Sequence, residues 1–195
     1  MGKVLTRRAR ACTARIARRR VHAHPLDGEL LVETVLEAWE ELLSAQTSSG
    51  VNLVRELGIA PRAIGDLLEK LIVRRLAAMA PGVWRGDDSS HDKDAVYLID
   101  DRYSFEIKTS SGSELSGNRC YATPGRSSVK SKSGYYLVVN YENPRKTTDP
   151  RVRRVRFGWL DQEDWRPQQT GTGQQARISS CDAARQLLTL YEAPR

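Results

Sequence analysis

The chain has 195 residues, 28% of them charged, a mean hydropathy of −0.53 and a net charge of +7. That length fits one domain around one core. No uninterrupted apolar stretch approaches the roughly eighteen residues that cross a bilayer, and the start lacks the apolar segment of a secretory signal, so the cytoplasm is the expected location. Cys12, Cys120 and Cys181 are too widely spaced for a disulfide framework or a zinc site.

The charge is concentrated at the start. Of the 31 basic residues, eight lie within positions 1–24 (Lys3, Arg7, Arg8, Arg10, Arg15, Arg18, Arg19, Arg20) with no acid among them, leaving 23 against 24 acids in the remainder. Positions 1–24 therefore read as a basic arm ahead of a single domain at 25–195. Such an arm suits phosphate contact through counterion release, although a solvated leader or a targeting peptide has the same composition. His22 and His24 are expected to be solvated there.

Beyond the arm, Leu30, Leu31, Val35, Trp39, Leu42 and Leu43 recur at helical spacing, with Asp27 available as a cap, which predicts a packing helix over 29–43. A shorter helical region is expected over 51–57, stopping at Gly58. Pro61 then opens a helix running to about Met79. On that helix Asp66 lies four residues from Arg62 and from Lys70, as exposed ion pairs do. Glu69 borders the apolar residues Ile72, Val73 and Leu76, where an ionised group is costly unless paired or bound to metal. It is a candidate auxiliary metal ligand, or a boundary glutamate reaching water or Arg74.

The most informative segment runs from Asp94 to Lys108. Residues 95–99 (Ala-Val-Tyr-Leu-Ile) read as a buried strand, 100–102 as a turn, and 103–108 as a second strand in which Phe105 and Ile107 alternate with Glu106 and Lys108. Folding about that turn brings Asp94 opposite Glu106 or Ile107. Two carboxylates and an ammonium at one spot are the equipment for holding a hard divalent cation beside a phosphodiester.

At these residues the chain resembles the PD-(D/E)xK nuclease superfamily, with Asp94 as first acid and Glu106-x-Lys108 as second acid and lysine. More narrowly, Ser104-Phe105-Glu106-Ile107-Lys108-Thr109-Ser110-Ser111 followed by Gly117-Asn118-Arg119-Cys120-Tyr121-Ala122 is similar to Sca-type restriction endonucleases, and the likeness extends over about 60–176. The chain departs from the superfamily where Lys93 stands in the usual proline position and Asp92 offers another acid nearby. The resemblance implies an α/β (α+β) fold with a central mixed sheet flanked by helices. It also implies a type II restriction endonuclease, a homodimer, that uses Mg²⁺ to cut double-stranded DNA and leave 5′-phosphates, with Asp94, Glu106 and Glu69 on the metal. A repair-type nuclease on the same scaffold is the near alternative.

The remaining elements supply candidate DNA contacts. The Ser- and Gly-rich stretch 109–133 carries Asn118, Arg119, Arg126, Lys130 and Lys132, suited to phosphates and groove entry. A β-prone run over 135–141 follows. Over 152–159 Val155, Phe157 and Trp159 alternate with Arg154 and Arg156, a pair suited to phosphate or guanine, or to protecting a sheet edge. Gln174 lies in a polar loop, and a helix is expected over 179–192. A rival reading is a DNA-binding regulator without catalysis, in which 52–69 forms a helix-turn-helix.

Overall fold

The computed structural model describes residues 7–112, 114–122, 131–168 and 175–194, with side chains for all of these except 7–14, 119 and 120. Three long helices come first: α1 (Arg7–His22), α2 (Gly28–Ser44) and α3 (Pro61–Met79). The strands follow as β1 (Trp84–Gly86), β2 (Ala95–Tyr97), β3 (Phe105–Ser110), β4 (Ser116–Asn118), β5 (Gly134–Tyr141), β6 (Val152–Leu160), β7 (Arg166–Pro167) and β8 (Gln175–Arg177). A short helix α4 (Ser180–Gln186) leads into β9 (Leu187–Glu192). Six strands form a mixed sheet in the order β1-β2-β3-β5-β6-β9, parallel between β3 and β5 and antiparallel elsewhere. This is the expected restriction-endonuclease-like α/β architecture.

Two apolar layers explain why β5 is buried along its whole length. Its odd residues Tyr135, Leu137 and Val139 join Phe105, Ile107, Val155 and Phe157 under the apolar stripes of α2 and α3, which include Trp39, Leu42, Ile64, Leu68 and Ile72. The even residues Tyr136 and Val138 face a second cluster with Leu115, Tyr121, Trp165 and Ala176. That cluster lies beneath a small sheet of order β4-β8-β7. Each Leu or Phe fully buried in these layers contributes about 1.5–3 kcal/mol.

Local chemistry sets the helix limits. The Asp27 carboxylate accepts from the Glu29 and Leu30 N–H groups to cap α2, and Pro61 sits at the start of α3, where a missing N–H costs nothing. Between them the expected helix over 51–57 is replaced by turns. Asn52 organises these by accepting from the N–H groups of Val54 and Arg55 and donating to the Leu43 carbonyl. The helix-turn-helix reading therefore lacks its first helix. The apolar face of its second helix is sealed into the core.

Three other expectations are corrected. The helix over 179–192 ends at Gln186, and 187–192 instead pairs with the open edge of β6, whose hydrogen-bonding groups need a partner. Gly158 permits this, because a Cβ there would stand 2.1 Å from the Gln186 carbonyl oxygen. The apolar run over 95–99 is a strand only to Tyr97, and Leu98 and Ile99 are exposed. Lastly, His24 is in the core rather than in solvent. Its Nδ1 accepts from the Leu26 N–H at 3.1 Å and its Nε2 donates to the Tyr103 carbonyl at 2.9 Å, among the rings of Tyr103, Phe105, Tyr135 and Phe157. The last turns of α1 share that setting: Ala17 and Val21 are buried, and the Arg20 guanidinium lies over the Trp159 ring.

Candidate active site

The site forms where β2 meets β3. Ala95 pairs with Phe105 in antiparallel register, which sets the preceding residue, Asp94, across from Glu106. The Asp94 Oδ2 accepts the Ile107 N–H at 2.7 Å, so the carboxylate is fixed by the backbone of the strand that carries its companions. On β3, Glu106 and Lys108 share the face of their parallel neighbours Tyr136 and Val138. The Lys108 ammonium lies 3.3 Å from Glu106 Oε2 and 3.5 Å from Asp94 Oδ2, and donates to the Ile107 carbonyl at 2.9 Å. The three residues expected to meet do meet.

Burial makes this group electrostatically tight. The Glu106 side chain is 1% exposed and that of Lys108 18%. Burial alone would lower the lysine pKa, but the negative charges of Asp94 and Glu106, with the Tyr121 hydroxyl, outweigh it and hold Lys108 above the usual lysine value. Asp92, the nearby competing acid, belongs elsewhere. It is bonded to Arg85 at 2.8 Å and to the Asp88 N–H at 3.0 Å, contacts that pull its carboxyl down to about 2.

Glu69 reaches the same neighbourhood from α3. The helix approaches β3 closely at Gly65, where a Cβ would stand 2.3 Å from Thr109 Oγ1. One turn later, the Glu69 carboxyl is pushed up to about 7, first by burial and then by the charge of Asp94. It pairs with Lys70 at 3.5 Å, while Arg74 pairs with Glu41. Among the described residues no three or more His, Cys, Asp and Glu side chains gather closely enough to cage a metal. Two carboxylates fit Mg²⁺ nonetheless, because that ion is usually held through one or two carboxylates together with waters and substrate phosphate.

Two residues at the site were not singled out for it by sequence reasoning. The Tyr121 hydroxyl donates to Glu106 Oε2 at 3.1 Å, and its ring faces the ammonium groups of Lys108 and Lys132. Lys93 lies 3.6 Å from the other Glu106 oxygen, Oε1. Tyr121 stands inside the Gly117–Ala122 motif, and Lys93 in place of the usual proline, so each carried a signal.

The candidate DNA contacts are dispersed. Asn118 is exposed on β4, and Lys132 is half-buried against Tyr121. On β6, Arg154 pairs with Glu192, whereas Arg156 is buried and donates to Asn140 Oδ1 at 2.9 Å. The side chain of Arg119, and residues Arg126, Lys130 and Gln174, lie outside what the structure describes. Also among the described residues, no helix is long and apolar enough to cross a membrane.

Comparison with known proteins extends the likeness beyond these motifs. The model of the ScaI restriction endonuclease family matches residues 14–191. The type II restriction enzyme ScaI of Streptomyces caespitosus is 38% identical over 184 residues, spanning 90% of this chain and 79% of that protein. With a family match over nearly the whole chain and a relative this similar, the chain belongs to the ScaI restriction endonuclease family, type II enzymes that hydrolyse double-stranded DNA.

Proposed function

We propose that this chain cuts double-stranded DNA at a specific site through the Asp94, Glu106 and Lys108 centre, with Mg²⁺ as cofactor. The observation that carries this reading is the shared ammonium: Lys108 lies within 3.5 Å of both carboxylates on a buried strand. Asp94 and Glu106 would hold the ion, with Glu69 assisting through water from α3. The ion supplies Lewis-acid stabilisation of charge on the scissile phosphate.

The protein's own groups do the rest. Lys108, kept protonated by its two acids, orients the attacking water and donates toward developing negative charge. Tyr121 fixes the Glu106 oxygen that Lys108 also touches, so neither side chain drifts from the scissile position. Asn118, Arg119, Arg126, Lys130, Lys132, Arg154, Arg156 and Gln174 are the proposed DNA contacts. Two copies related by two-fold symmetry would cut both strands of a palindrome.

Incubating the protein with unmethylated phage DNA in Mg²⁺ or EDTA tests this. Discrete, metal-dependent fragments with 5′-phosphate ends are expected. A smear would favour a repair-type nuclease, and intact DNA in Mg²⁺ would overturn the reading.

A further inference from the structure

Lys93 occupies a seat built for an ammonium. Its Nζ donates to the Ser131 carbonyl at 2.6 Å and the Ser133 carbonyl at 3.4 Å, and lies over the Tyr136 ring at 5.8 Å. Gly134, at φ +153°, leaves room for it: a Cβ there would stand 3.2 Å from Nζ. Its side chain is 12% exposed, and its charge lies 3.6 Å from Glu106 Oε1. Glu106 is thus held between two ammonium groups, Lys108 on one oxygen and Lys93 on the other.

Among the described residues the two acids Asp94 and Glu106 are thus matched by two ammonium groups before any ion arrives. Asp94 and Glu106 face Lys108 and Lys93, and Glu69 has Lys70 at 3.5 Å, an ammonium that Asp87 holds at 2.6 Å. A proline at position 93, as the superfamily usually has, would leave this pair of acids one positive charge short. A divalent cation approaching Glu106 here meets a positive charge that two backbone carbonyls keep from swinging away. Repulsion at such distances within a half-dry site is large. A DNA phosphate brought alongside adds negative charge that offsets this repulsion.

We propose that Lys93 is a positioning residue whose fixed charge on Glu106 weakens cation loading in the free protein and makes loading depend on bound DNA. This rests on the reading that Asp94 and Glu106 hold the ion. The test is Mn²⁺ binding followed by electron paramagnetic resonance at fixed ionic strength. Lys93→Gln keeps a donor for the two carbonyls but loses the charge, and should bind Mn²⁺ about tenfold more tightly than the wild type without DNA. Lys93→Arg should restore weak binding, an effect that a purely structural role would not produce. In Asp94→Asn/Lys93→Gln the gain should vanish. A duplex with phosphorothioate linkages, which slow cleavage, should raise the Mn²⁺ bound by the wild type above the sum for protein and duplex alone, and raise that of Lys93→Gln less. Equal affinities for wild type and Lys93→Gln, or an equal response of both to the duplex, would overturn the role of Lys93 while leaving the site intact. A gain that survives Asp94→Asn would instead show that the ion binds elsewhere, removing the reading beneath it.

Discussion

Two polar centres are buried in the same sheet, and they differ in charge balance. At the β2–β3 end, Asp94 and Glu106 enclose Lys108, and Lys93 answers the second Glu106 oxygen. Across β5 and β6, Arg156 is 7% exposed and its guanidinium donates to a neutral amide, Asn140 Oδ1, while Asn140 donates to the Gly112 carbonyl. Its Nε has no hydrogen-bond partner among the described residues. Burial, then repulsion from Arg154, draws the Arg156 pKa below the usual arginine value. In the first centre two acids are matched by two ammonium groups, whereas the buried Arg156 has no carboxylate partner among the described residues. It lies beside a groove where Arg153 pairs with Glu142 and Arg154 with Glu192, and which Lys146 also lines. A DNA phosphate would relieve the cost of burying the Arg156 charge, which is the basis of the proposed DNA contact there.

Substitutions at the two centres should therefore differ in kind. Asp94→Asn keeps an acceptor for the Ile107 N–H but removes the charge, so cleavage should fall about 10³-fold with folding preserved. Asp94→Ala should lose cleavage and also about 2–4 kcal/mol of stability in urea unfolding, because a buried N–H and an ammonium both lose a partner. Equal stability of the two variants would break the picture of a balanced centre.

Arg156→Met should act in the opposite way. DNA affinity should fall about tenfold, with a salt slope shallower by about one, while the unfolding free energy stays within about 1 kcal/mol of wild type. A large stability loss with unchanged DNA binding would make Arg156 a structural residue.

His24 is a buried polar group of a third kind, satisfied only when neutral. Burial lowers its pKa from 6.5, the backbone bonds to Tyr103 and Leu26 opposing, and protonation of Nδ1 would break its bond from Leu26. A depressed histidine contributes stability that is complete above 6.5 and lost as pH falls through 6.5 toward the folded value. The unfolding free energy from urea titrations should therefore drop by about 1 kcal/mol between about pH 8 and pH 5.5, and His24→Phe should remove that part of the slope. An unchanged slope in the variant would contradict the assignment. The smallest effect is expected from deleting residues 1–14, which removes Lys3, Arg7, Arg8 and Arg10. Binding should weaken a few-fold with a flatter salt dependence. Deletion through His24 should instead unfold the protein, since Ala17, Val21 and His24 are core.

What the sequence made legible followed from local periodicity. Alternation over 103–108 put Glu106 and Lys108 on one face, the short turn put Asp94 opposite, and Asp27 and Pro61 marked two helix starts. What it hid depends on distant partners. Leu187, Leu188 and Leu190 fit a helix until the open edge of β6 and the bare backbone of Gly158 make a strand the better solution. His24 looks like part of a charged arm until five aromatic rings close around it. Tyr121 reaches Glu106 only because the chain after β4 folds back over β3, a contact that no spacing along the chain encodes, whereas Lys93 is next to Asp94 and what stayed hidden was its seat on the carbonyls at the entry to β5.

The centre at Asp94, Glu106 and Lys108 is tested most directly by Lys108→Ala, with cleavage and binding measured on the same duplex in Mg²⁺ and in Ca²⁺. Cleavage in Mg²⁺ should fall about 10³-fold while specific binding in Ca²⁺ stays near the wild-type affinity. Cutting at the wild-type rate by this variant would contradict the account.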